Sequence, residues 1–143
     1  MNNVECFYKF VKEAAEHQTR SSKARLVLNN IIHVEFKSQA EIELDDAKED
    51  MQLSEKLVSG VSQSSTIIDT ENTESILKEA RDWYSQIEND NPRNVSVALI
   101  VNSLYTSIIA NFFLGFKNSR TGMNVFNKKV EAIKWLYEKL EVN

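Results

Sequence analysis

The sequence predicts an all-α fold, a single-domain bundle of about five helices around a central apolar helix at about 92–114. Three observations carry the prediction. The 143-residue chain holds 3 glycines and 1 proline, few breaks for its length, which suits long helices with short connections. Apolar residues recur at i, i+3, i+4 and i+7 near both ends. Between Asn94 and Phe116 there is no Asp, Glu, Lys or Arg, as expected of a helix covered on every side.

The first helix is expected over about 3–17, with Val4, Phe7, Tyr8, Val11, Ala14 and Ala15 on one face. Gln18 to Ser22 is polar and reads as a connection, with Ser21 or Ser22 serving as a cap for the next helix. That second helix is expected over about 23–59, kinked or broken near 37–39. Leu44, Ala47, Met51, Ser54 and Val58 form its stripe, and Gly60 suits its end. The first half of this stretch is ambiguous, because Val34, Phe36, Ala40, Ile42 and Leu44 alternate in places as a short hairpin would. A lone hairpin would lack strand partners, since no other segment reads as a strand, and the helix is preferred.

Ser59 to Asn72 reads as a loop rich in Ser and Thr with Ile67 and Ile68 in its middle. Asn72 or Thr73 then caps a third helix over about 73–89, with Ile76, Leu77, Ala80, Trp83, Tyr84 and Ile87 inward. A turn at Asp90–Arg93 leads into the central helix, where Asn91 suits the N-cap, Pro92 the first helical position and Gly115 the C′ position. Its length matches a bilayer span, but two asparagines, four hydroxyls and an amphipathic distribution make it a core helix instead. Phe116 to Gly122 connects to a last helix over about 124–141, striped by Phe126, Val130, Ile133, Tyr137 and Leu140. Trp135 falls on its far side, near Lys128 and Lys139.

The net charge is −4 and unevenly spread: residues 35–56 and 69–90 each carry −5, while 1–34 carry +2 and 115–143 carry +3. An acidic middle argues against nucleic acid as the principal partner, since phosphate binding needs clustered Lys and Arg. It suits a protein partner with a basic surface. Cys6 is alone, so no intramolecular disulfide forms, and no signal peptide is read at the polar start. The expected compartment is the cytoplasm, with no membrane association and homo-oligomerisation left open.

Chemistry is narrowed mostly by what is missing. His17 and His33 each stand alone and read as surface or satisfied histidines, and Cys6 reads as a structural thiol. No G-x-S-x-G, P-loop or dinucleotide fingerprint is present. The sharpest surface feature is acidic. Glu41, Asp45 and Glu49 are spaced i, i+4 and Asp46 and Asp50 run alongside, a candidate docking stripe for a basic partner. Trp135 is a second candidate contact, as an outward Trp is a common interface anchor.

One further pattern is Glu13-Ala-Ala-Glu16 followed by Glu43-Leu-Asp-Asp46. It is similar to the magnesium-binding pattern of the MazG-like nucleotide pyrophosphohydrolases. The resemblance implies an all-helical enzyme in which Glu13, Glu16, Glu43 and Asp46 converge on Mg²⁺. The leading expectation is different: a non-enzymatic, cofactor-free protein that binds another protein. Its specific form is an immunity- or antitoxin-type inhibitor covering the basic site of a toxin or nuclease. The remaining alternative is a structural or assembly subunit.

Overall fold

Buried strands flanked by helices on both faces read as short, nearly continuous apolar runs rather than as alternation. That is what Ile31–Phe36 and Asn94–Ile100 are, while Ser64–Asp69 carries its two isoleucines, Ile67 and Ile68, among polar residues. A computed structural model describes residues 2–28, 30–38, 41–71, 75–80, 82–83, 94–101 and 122–142, and it shows an α/β fold. Its elements are α1 (Asn3–Glu13), β1 (His17–Gln18), β2 (Ser22–Val27), β3 (Ile31–Phe36), β4 (Glu41–Ile42) and α2 (Leu44–Leu57), then β5 (Ser64–Asp69), β6 (Ser75–Ile76), β7 (Asn94–Ile100), β8 (Gly122–Phe126) and α3 (Lys129–Val142). Residues 78–80 and 82–83 are also helical.

Six strands form one sheet in the order β1-β2-β3-β5-β7-β8. The first three are antiparallel neighbours, and β3, β5, β7 and β8 run parallel. Registers such as Val34↔Ile68 and Ile68↔Leu99 set one row of side chains on each face. On one face Ile32, Val34, Phe36, Ile68 and Leu99 pack under Ala47 and Met51 of α2 and under Ala80 and Trp83. On the other, Val27, Ile31, Ile67, Ala98 and Ile100 pack under Phe7 of α1 and Ala132, Ile133 and Leu136 of α3. Each fully buried Ile or Leu in these layers contributes about 1.5–3 kcal/mol.

The all-α expectation is therefore corrected. The reason is physical: with helices on both faces, the inner strands carry apolar side chains on both sides, and the period-2 signal that marks a strand disappears. The central helix expected at 92–114 is β7 over Asn94–Ile100, while 92–93 and 102–114, with Asn91, Pro92 and Gly115, lie outside the described residues. The helix expected over 23–59 is β2, β3 and β4 followed by α2, so the rejected hairpin is real and finds its missing partner in β5. That partner lies in the stretch read as a loop, where Ile67 is fully buried at the centre of the sheet. The helix expected over 3–17 stops at Glu13, and His17 opens β1. The segment expected as a helix over 73–89 begins with β6. Tyr84 and Ile87 fall outside the described residues, and Leu77 is exposed. The last helix starts at Lys129, because Gly122–Phe126 is β8.

Local signals explain the boundaries. Asn2 caps α1, its side-chain oxygen accepting from the Glu5 N–H at 2.8 Å. Asp46 accepts from the Glu43 N–H at 2.9 Å at the start of α2, the reciprocal arm of a capping box. Gly60, with φ +89°, turns the chain away after α2 in a conformation that disfavours any side chain. β4 and β6 pair in parallel just before their helical segments, and the Leu77 N–H donates to the Ile42 carbonyl at 3.0 Å. At the sheet edge, the Val125 N–H of β8 donates to the Asn124 side-chain oxygen at 2.9 Å. Among the described residues no helix is long and apolar enough to cross a membrane.

Candidate functional site

The acidic stripe of α2 meets the β1–β2 turn, Thr19-Arg20-Ser21-Ser22. That turn closes on itself: the Thr19 N–H donates to the Ser22 carbonyl at 2.9 Å, and the Ser22 N–H to the Thr19 hydroxyl oxygen at 3.0 Å. Its three hydroxyls then converge on Asp50, with Thr19 donating at 2.6 Å, Ser22 at 2.8 Å and Ser21 at 3.0 Å. Lys37 holds the turn from just beyond β3, its Nζ donating to the Thr19 carbonyl at 2.6 Å. Burial pushes the Asp50 carboxyl up from its ordinary value, and the three hydroxyls work against that rise.

One helical turn earlier, Asp46 takes Arg20 in a two-pronged pairing. Arg20 Nε donates to Oδ1 at 2.7 Å and Nη2 to Oδ2. The Arg20 hydrogen bonds hold the Asp46 carboxyl below its ordinary range against the effect of burial, and Asp46 holds the guanidinium above its own. Arg20 also donates to the Glu41 carbonyl at 3.2 Å and comes within 3.9 Å of the Glu43 carboxylate.

The stripe read from the sequence is thus broken up: Glu41 lies on β4 rather than on α2, and its four α2 carboxylates are divided between a buried and an exposed side. Asp46 and Asp50 are buried and engaged by the β1–β2 turn, so they staple α2 to the sheet and are not free to meet a partner. Glu41, Asp45 and Glu49 are exposed, and their side chains make no ion pair among the described residues. Trp135 is half-buried: its ring sits 5.7 Å from Phe126, centroid to centroid, and the Lys139 ammonium lies 5.8 Å from its centroid. It belongs in part to the α1/α3 layer rather than projecting as an outward anchor.

The four carboxylates of the magnesium pattern are not brought together. Glu13 ends α1, Glu16 pairs with Arg25 and accepts from Gln18, and Asp46 is taken by Arg20. Among the described residues no three His, Cys, Asp or Glu side chains are placed to hold a metal ion.

A second polar cluster escaped the sequence reading. It sits on the α1/α3 face, toward the carboxyl end of β5. Asp69 ends β5 and receives Lys129 Nζ at 3.0 Å and the Glu71 N–H at 3.0 Å. Burial works against the Lys129 charge, but the Asp69 hydrogen bond and charge outweigh it and raise the ammonium above its ordinary value. His33, read as one of two solitary histidines, is 4% exposed on β3, and its ring forms a T-shaped pair with that of Phe7 at 5.8 Å. Burial and the nearby Lys129 push its imidazole down to about 4, Asp69 opposing them. Its Nδ1 has no hydrogen-bond partner among the described residues. Arg20, Asp69 and Lys129 belong to no motif. They are widely separated in sequence and only the sheet registers bring them to these places.

Comparison with known proteins agrees with the fold and adds no activity. A family model described as a domain of unknown function, DUF7793, matches residues 25–139. No curated protein matches the chain. Among solved structures, the chain is similar to the crystal structure of an uncharacterized protein of the DUF3478 family with a SpoIIAA-like fold, from Shewanella loihica PV-4. The TM-score is 0.54 and the identity 15%, with 86% of this chain and 91% of that one covered. That likeness supports the α/β architecture and overturns the helical bundle.

Proposed function

The chain belongs to the DUF7793 family, and we propose that it is a non-enzymatic protein-binding domain that offers β4 and the outer edge of α2 to a basic surface. The observation that carries this reading is the division of the acidic stripe. Asp46 and Asp50 are matched internally by Arg20 and three hydroxyls, while Glu41, Asp45 and Glu49 remain solvated and make no ion pair among the described residues. Carboxylates in that condition cost little to bring against a cationic surface and speed encounter with it. The specific form proposed is an immunity- or antitoxin-type inhibitor in the cytoplasm that covers the basic site of a toxin or nuclease. No observation favours the magnesium-dependent hydrolase over it.

The test is affinity capture with the intact chain, followed by binding measured against salt. Replacing Glu41→Gln, Asp45→Asn and Glu49→Gln together is expected to weaken the captured complex and flatten its salt dependence. A complex equally tight and equally salt-sensitive with the triple variant would end the proposal.

A further inference from the structure

The family match begins at residue 25, so α1 lies ahead of the matched region although it covers part of the sheet. Its hold on that sheet is narrow. Phe7 is the one α1 side chain that is fully buried, with Val4, Phe10 and Val11 partly covered beside it. Phe7 packs against His33 in a T-shaped arrangement, with the ring planes at 73° and the centroids 5.8 Å apart. Beside α3 and β2, the seat of α1 therefore includes a titratable ring, and one whose Nδ1 is buried without a partner among the described residues.

The surroundings of that ring favour its neutral form. Arg25 is its register neighbour on β2 and Ile67 on β5. Lys129 of α3 contributes a second cation. From α1 it meets Phe7, while the neighbouring Tyr8 acts on Lys129 rather than on the ring. Asp69 is the anion that acts on it, and both its oxygens are already engaged, by Lys129 and by the Glu71 N–H. A proton added to His33 would create a buried cation close to the charges of Arg25 and Lys129.

We infer that α1 is a strap held by neutral His33 and released by its protonation, uncovering the apolar side chains Val27, Ile31 and Ile67 beneath Phe7. Release admits water to the imidazole and restores its ordinary proton affinity. One proton is thus taken up per opening event. The opening equilibrium of α1 then rises about tenfold for each pH unit that the solution falls below the ordinary imidazole range.

Native-state hydrogen exchange on the full chain between pH 7 and 4.5, corrected for intrinsic amide rates, tests this directly. The α1 amides are expected to lose protection about tenfold per pH unit below roughly pH 6.5, while those of β3 and β5 keep theirs. His33→Gln is expected to abolish the pH dependence. Lys129→Gln removes a cation from beside the ring and is expected to raise its proton affinity in the closed state, flattening the dependence at higher pH than in the parent. Asp69→Asn removes the anion and is expected to lower that affinity, so the full dependence persists to pH 4.5. Three results would overturn the inference: α1 protection that is flat with pH, the same rise in His33→Gln, or loss of α1 and the central strands together. Should His33→Gln fold poorly, Lys129→Gln still decides it: a slope unchanged from the parent down to pH 4.5 would overturn the inference.

Discussion

Thr19 and Asp50, 31 residues apart in sequence, are joined by a 2.6 Å hydrogen bond in which the threonine hydroxyl donates to the carboxylate. Ser22 donates to the same oxygen and Ser21 to the other. Asp50→Ala leaves three buried hydroxyls without their acceptor and is expected to cost about 2–4 kcal/mol of unfolding free energy in urea titrations. Asp50→Asn keeps the shape and part of the hydrogen bonding and is expected to cost less. A stable Asp50→Ala variant with weakened partner binding would return this residue to the docking surface.

Asp46 and Asp50 respond oppositely to pH. The Asp46 carboxyl is lowered by Arg20, so its contribution is present above its ordinary value of 3.8 and is lost as the pH falls through its depressed one. The Asp50 carboxyl is raised by burial, so its contribution is present below that ordinary value and is lost as the pH rises through its elevated one. Arg20→Gln is therefore expected to destabilise the chain at pH 7 and to match the parent increasingly closely as the pH falls below about 3.8. Urea midpoints at pH 7, 5 and 3 give the comparison. A deficit that persists unchanged at pH 3 would show that Arg20 acts by packing alone.

Ile67 and Val130 exchange the roles their sequence positions suggest. Ile67 lies in a stretch that reads as a loop yet is fully buried in the central strand, whereas Val130 lies on the expected core stripe of the last helix yet is 42% exposed. Ile67→Ala is expected to cost about 2–5 kcal/mol, and Val130→Ala less than about 0.5 kcal/mol. Thermal and urea unfolding of the two variants make the contrast measurable.

These residues show where the sequence was readable. Helical stripes with one solvated face announced α1, the second half of the 23–59 stretch and most of the last helix, and Gly60 marked the end of α2. Those elements have a wet side and a dry side, and the 3.6-residue period survives in them. β3, β5 and β7 have no wet side, so Ile31–Phe36 and Asn94–Ile100 show neither period, and only the β-branched residues and the run length of about six hinted at strands. The candidate site was half legible. The i, i+4 spacing of Glu41, Asp45 and Glu49 holds within α2 only for Asp45 and Glu49, because Glu41 lies on β4, although all three are exposed. It could not reveal that Asp46 and Asp50 face Arg20 and three hydroxyls, because those partners arrive from a turn some 26–31 residues upstream.

The strand order also bears on how the chain is assembled. From β1 to β8 each strand of the large sheet lies beside the one that precedes it in that sheet, with none inserted between two already paired. Growth from the amino end therefore needs only addition at an open edge: the β1–β2–β3 hairpins form locally, and β5, β7 and β8 join in order of synthesis. Every crossover closes a loop to its immediate predecessor, which keeps the entropy of closure low for a sheet with so many parallel neighbours. Among the described residues the sheet ends at β8, where the Asn124 side chain accepts from the Val125 N–H and leaves that amide closed to a further strand.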